Sequence, residues 1–239
     1  MKIGIIGAME IEVDHLKAEM TTERTVDKAG MKFFEGKIGD TDVVVVQCGV
    51  GKVNAAACVQ VLCDCFDVTH VINTGVAGSM DADIDIGDIV VSEDAIYHDF
   101  DVTPLGYKPG EVPGVGTVSF PADKMLHDCA VKAVLEAAPD IHVFSGRVVS
   151  GDQFIAGNDQ KKAIHDLVGG MCTEMEGTAI AQVAYLNKVP FVIIRAISDK
   201  ADNSGSEDYP TFEKKAARHC AHMIYIRHIR KNLTVRRSV

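Results

Sequence analysis

The chain reads as an α/β layered fold: a mixed, mostly parallel central β-sheet flanked by helices. Three observations predict it. Apolar, β-branched runs of strand length recur along the 239 residues. Segments with helical spacing lie between several of them, the alternation of a βαβ chain. No internal repeat, low-complexity tract or Pro/Gly linker divides the sequence, so residues 1–239 are expected to form one domain.

The first strand is expected at residues 3–7, apolar throughout as in strands covered on both faces. It lies in MKIGIIGAME, whose one Lys and short apolar stretch lack the long core and cleavage site of a signal peptide. A helix is expected at 12–20, a strand at 43–47, a helix at 53–66, and strands at 70–74 and 88–92. Residues 97–120 break the alternation. They are rich in Gly, Pro and Asp and long for a connection, so they are expected to be functional or to cover a partner. A helix at 124–137, a strand at 143–150, a small-residue helix at 178–187, a strand at 191–197 and a helix at 212–230 complete the series.

Composition narrows the function. Hydrophobic residues make up 47% and Trp is absent, an ordinary globular balance. No apolar run approaches the roughly 20 residues of a membrane helix, so no membrane partner is expected. The net charge of −10 argues against nucleic acid, which needs a clustered positive field. The basic end (Arg227, Arg230, Lys231, Arg236, Arg237) reads as a solvated face suited to the dipole of a last helix. Seven cysteines, an odd number with mostly apolar neighbours, suggest reduced thiols and a cytoplasmic location. Cys63 and Cys65 lack CxxC spacing and a second pair nearby, so no metal site is expected.

Ligands of such sheets bind at the carboxyl ends of strands. Five expected strand ends carry glycine or polar residues: 7–12, 49–52, 75–78, 150–155 and 195–199. Gly4 and Gly7 do not complete a dinucleotide fingerprint. Gly49-Val50-Gly51-Lys52 resembles the end of a phosphate loop, but Val53 stands where Ser or Thr is required. The acids say more. Glu12, the Glu174-Met175-Glu176 pair and Asp199 each suit a helix cap when taken singly. Converging on one pocket, they are what cleavage of a glycosidic bond requires: a proton donor, an acceptor for the water proton, and anions facing a cationic sugar.

MKIGIIGAMEIEV, CGVGKVNAA, NTGVAG, GDIVVSEDAIYHDFDVT, GYKPGEVPG, VSGDQFI, TEMEGTAIA and PFVIIRAISDKAD, in that order and spacing, resemble the motifs of bacterial 5′-methylthioadenosine/S-adenosylhomocysteine nucleosidases. The resemblance runs from residue 1 to about residue 217. It implies a nucleoside phosphorylase-like fold and a homodimer. It also implies hydrolysis of the N9–C1′ bond of 5′-methylthioadenosine, S-adenosylhomocysteine and 5′-deoxyadenosine, in methionine salvage and the recycling of S-adenosylmethionine by-products, without metal or cofactor. By resemblance, Glu12 activates the water, Glu176 holds the ribose hydroxyls, and Asp199 with Ser198 feeds a proton to adenine N7. Arg195 orders the acids and helps place the water. Phe154 stacks on adenine, the Ile155 backbone meets the base edge, and Met175 packs under the ribose. Val76, Ala77 and Gly78 border ribose and water. Val50 and Tyr209 line the 5′ pocket, with Leu105, Tyr107 and Pro113 reaching in from the partner subunit.

Some positions depart from the family pattern. Val76 stands where Ser is frequent and Gly177 where Ala is usual, and Val50 and Leu105 differ in shape from frequent choices. These touch substrate ranking, not reaction class. Three rivals use related chemistry. A purine nucleoside phosphorylase needs a phosphate clamp, yet there is no Arg between Arg24 and Arg147. An aminofutalosine hydrolase would differ only in the 5′ slot. A non-catalytic adenosine sensor would be expected to have lost one of the acids, and all are present.

Overall fold

A computed structural model describes residues 1–205 and 208–212. Apart from Phe212, the expected last helix and the basic end lie outside those residues. In chain order the elements are β1 (Lys2–Gly7), α1 (Glu10–Glu19), β2 (Thr21–Lys28), β3 (Met31–Ile38), β4 (Thr41–Gln47), α2 (Lys52–Phe66), β5 (His70–Ser79) and β6 (Ile89–Tyr97). A 3₁₀ turn (Thr103–Leu105) follows, then β7 (Phe120–Pro121), α3 (Lys124–Ala137), β8 (Val143–Ser150), α4 (Asn158–Val168), β9 (Cys172–Glu174), α5 (Gly177–Leu186) and β10 (Phe191–Asp199).

The strands form one mixed sheet in the order β2-β3-β4-β1-β5-β9-β8-β6-β10. Strand β10 pairs back onto β5, so β5, β9, β8, β6 and β10 close a ring. Parallel pairs join β4 to β1, β1 to β5, β5 to β10, β6 to β8, and β8 to β9. Antiparallel pairs lie at the β10–β6 and β5–β9 seams and along the β2–β3–β4 margin.

Strands β1 and β4 show why both faces are covered. Ile6, Val44 and Val46 join a core with Leu62 of α2 and Ile180 of α5. Ile3, Ile5, Val43 and Val45 join the opposite core with Leu16 of α1 and Val134 of α3. Successive residues point to opposite faces, and each face meets a helix layer, hence the unbroken apolar runs.

Strand β2 was not expected. Its sequence is TTERTVDK and all but one of its residues are exposed, so it carries no burial pattern. It forms by pairing with β3 across a turn in which Ala29 and Gly30 both take positive φ, the geometry of a tight hairpin. Its partner β3, helix α4 with Ile164 and Val168 as its buried residues, the two-residue β7 and the three-residue β9 also add to the expected series. A further correction concerns β5. Residues 75–78 were expected as a glycine loop beyond a strand ending at 74, yet β5 continues through Ser79. The glycines serve close approach of neighbouring side chains, as the pocket shows.

Candidate active site

Strand β10 brings Asp199 to one pocket beside the parallel strand β5, whose Val76, Ala77 and Gly78 also line it. Ile197 pairs with Ala77 and Asp199 with Gly78, so Ser198 is an extra residue in β10, a bulge. Bulges re-aim the side chains beside them. Asp199 is buried, its Oδ1 accepting the Ala201 N–H at 2.8 Å and its Oδ2 the Ser198 hydroxyl at 3.0 Å. A Cβ on Gly78 would sit 2.7 Å from Asp199 Oδ1, so only glycine leaves room for the carboxyl. Burial raises the Asp199 pKa, and the two hydrogen bonds offset part of the rise.

Glu12 lies in the first turn of α1. Its Oε2 accepts the N–H groups of Ala8 at 2.6 Å and Met9 at 2.9 Å, and its Oε1 accepts the Val76 N–H at 3.1 Å. The β1–α1 turn and β5 thus fix both oxygens. Burial pushes this carboxyl up, against the pull of Arg195 and the three N–H donors. A Cβ on Gly75 would collide with Arg195 Nη1 and Glu12 Oε1.

The two glutamates flanking Met175 divide the work. Glu174 accepts the N–H groups of Glu176 and Gly177 and so caps α5. It also pairs with Arg195 and accepts the Ser150 hydroxyl. Both glutamates line the pocket, but Glu176 is held differently, with Oε1 accepting the Gly51 N–H at 2.8 Å and Oε2 3.9 Å from Arg195 Nη2. Burial, followed by the Glu174 charge, pushes Glu176 up to about 8, with Arg195 and the Gly51 N–H opposing and Glu12 adding. Arg195 is 1% exposed and lies behind these acids, also donating to Asn73 Oδ1.

The pocket has about 470 Å³ of empty space, its open mouth included. Glu12, Glu176, Asp199 and Ser198 line it together with Met175, Val76, Ala77, Gly78, Val50, Phe154 and Tyr209. The Phe154 ring stands edge-on to Tyr209, centroids 5.4 Å apart. Ile155 does not line the pocket: its side chain is buried in a separate small core with Ala201 and Met80. Leu105 and Tyr107 are exposed, and neither they nor Pro113 line this chain's own pocket.

The profile of the phosphorylase superfamily matches residues 2–226. A 5′-methylthioadenosine/S-adenosylhomocysteine nucleosidase of Exiguobacterium sp. (strain ATCC BAA-1283 / AT1b) is 41% identical over 228 residues, 94% of this chain and 96% of that protein. The chain belongs to this nucleosidase family of the phosphorylase superfamily. Two solved nucleosidases share its fold. That of Colwellia psychrerythraea 34H, in complex with adenine, is 38% identical at a TM-score of 0.90, covering 94% of this chain and 93% of that one. That of Neisseria meningitidis, in complex with methylthio-immucillin-A, is 34% identical at 0.91, covering 97% and 99%.

Among residues in or behind the pocket, Glu174 was weighed in the sequence only together with Glu176, Asn73 and Ser150 were given no role of their own, and Thr173 was not singled out. Asn73 and Ser150 did leave a signal, as buried polar residues inside or ending apolar strands. Glu174 left none that separates it from Glu176, since both are acids at one helix start. Thr173 lines the pocket, and its Oγ1 is buried without a hydrogen-bond partner among the described residues.

Proposed function

We propose that the chain uses water to cleave the N9–C1′ bond of 5′-methylthioadenosine and S-adenosylhomocysteine, and also of 5′-deoxyadenosine, releasing adenine and the 5′-substituted ribose. The observation that carries this is the convergence of Glu12, Glu176 and Asp199, all buried, on one pocket that also holds an aromatic pair. Asp199 supplies a proton to adenine N7, because adenine leaves poorly as an anion. Its burial raises the carboxyl pKa and so favours the protonated form. Phe154 stacks on the base, and the Ile155 backbone meets its edge. Glu176 holds the ribose hydroxyls and places negative charge where the sugar becomes cationic. Glu12 accepts a proton from the attacking water, and Arg195 orders the acids from behind. Met175, Val76, Ala77 and Gly78 shape the ribose floor, with Val50 and Tyr209 at the 5′ end.

The same reading makes the chain one domain of a cytoplasmic homodimer, in which Leu105, Tyr107 and Pro113 close the neighbour's 5′ slot. Exposed Leu105 and Tyr107 on a long connection support it. A monomeric mass in solution at full activity would sink the dimer.

Hydrolysis is favoured over phosphorolysis by the state of Arg195. It is buried and engaged by Glu174 and Asn73, and none of the described residues lining the pocket is basic. The test is product analysis on methylthioadenosine with and without phosphate. Free methylthioribose in both is expected. The 1-phosphate would mean a phosphorylase, binding without adenine release a sensor, and much faster cleavage of aminofutalosine a different substrate.

A further inference from the structure

Three chain segments meet beside the pocket without lining it. Gly51 and Lys52 open α2, Asp99 follows β6, and Gly151 and Asp152 follow β8. Lys52 Nζ is 2.6 Å from Asp99 Oδ2 and 3.7 Å from Asp152 Oδ2. Asp99 Oδ2 also accepts the Asp152 N–H at 2.9 Å, and Asp152 Oδ1 accepts the Lys52 N–H at 2.9 Å. The contacts form a closed loop. Lys52 and Asp99 are largely shielded, with side chains 24% and 13% exposed, so water and salt weaken this pair less than a surface one. The packing is tight: a Cβ on Gly151 would sit 2.9 Å from Asp99 Cγ.

The loop bears on the pocket through Gly51. Gly51 precedes Lys52 and donates its N–H to Glu176 Oε1. Gly51 has φ of +95°, and a Cβ there would lie 3.1 Å from Asp152 Oδ1. The peptides on either side of Gly51 are thus held, the first by Glu176 through the Gly51 N–H and the second by Asp152 through the Lys52 N–H.

We infer that Lys52, Asp99 and Asp152 are positioning residues that hold the Gly51 N–H on Glu176 and so set the carboxylate that grips the sugar. This rests on the nucleosidase reading above, in which Glu176 faces the ribose. Asp99 also begins the connection that carries Leu105, Tyr107 and Pro113, so the same contacts tie that connection's base to the sugar side.

The experiment compares two probes on Lys52→Met and the near-isosteric Asp99→Asn. One is kcat/KM for methylthioadenosine; the other is inhibition by free adenine, which has no sugar. Misplacing a catalytic group by about 1 Å can cost about a hundredfold. A fall in kcat/KM of about ten- to a hundredfold is expected, with adenine inhibition within about twofold and Lys52→Arg restoring most of the loss. Parallel loss on both probes would mean general disorder of the pocket and would overturn the inference, as would unchanged kcat/KM in both variants. Wild-type chain that binds adenine but releases none from methylthioadenosine would sink the nucleosidase reading itself, and this inference with it.

Discussion

On one side of the pocket Glu12, Glu174 and Glu176 gather around the single guanidinium of Arg195; on the other, Asp199 is held by the Ser198 hydroxyl and one backbone N–H. Both sides raise carboxyl pKa values by burial, but with different consequences. Three acids against one cation leave the sugar side short of positive charge. In the reaction proposed above, a cationic sugar supplies that charge as the bond breaks, and the acids then favour the transition state over the neutral substrate. The base side has one acid, Asp199, whose proton is the reagent in the reaction proposed above. The lesson is that the same physical cause, desolvation, can prepare a group to attract charge or to give up a proton, depending on its neighbours.

The largest effect should come from the base side. Asp199→Asn keeps shape but cannot give a carboxyl proton, so turnover should fall by about 10²–10⁴ while adenine binding persists. Near-normal adenine release would remove Asp199 from the role of acid and break the contrast. Arg195→Met tests the other side. It leaves Glu174 buried without its cation, which should cost about 3–5 kcal/mol of stability. Urea unfolding measures it, and a loss below about 1 kcal/mol would show that Arg195 does not hold the acids together.

A smaller effect distinguishes the sides by pH. A carboxyl whose folded pKa lies above its unfolded value binds more protons in the folded state. Its stabilising contribution is then full below the unfolded pKa and is lost as pH rises through the folded one. For Glu176 that window runs from 4.5 to about 8. Thermal stability followed from pH 5 to 8 should therefore decline, and Glu176→Gln should flatten the decline. An equally steep decline in the variant would assign it elsewhere.

The sequence made one side more legible than the other. Asp199 was visible because an acid ends an unbroken apolar strand, although the bulge at Ser198 that aims it was not. The sugar side hid its logic. Nothing local tells Glu174 from Glu176, since the difference is which one meets Arg195 and the α5 N-terminus, a matter of tertiary packing. The alternation of strands and helices survived for the same reason that Asp199 did: unbroken apolar runs report cover on both faces. Strand β2 did not, because its stability comes from hairpin pairing rather than burial.

The smallest expected effect lies where the sides meet. Val76 lines the pocket where a Ser is frequent in the family, and the missing hydroxyl suggested a weaker grip on water or ribose. The geometry narrows that concern. It is the Val76 backbone N–H that holds Glu12 Oε1, and any residue other than proline supplies it. A side-chain change therefore leaves Glu12 in place. What remains is a neutral hydrogen bond worth about 0.5–1.5 kcal/mol against the loss of apolar packing at roughly 25 cal/mol per Å². Val76 is 8% exposed, so its methyl groups are mostly covered and their removal has a cost of similar size. Opposed terms of equal size should nearly cancel. Val76→Ser should change kcat/KM by less than about tenfold, roughly 1.4 kcal/mol, on both methylthioadenosine and S-adenosylhomocysteine. A change of about a hundredfold would exceed what one neutral hydrogen bond supplies. It would place the side chain at the reacting centre and make the sugar side depend on more than its four charged groups.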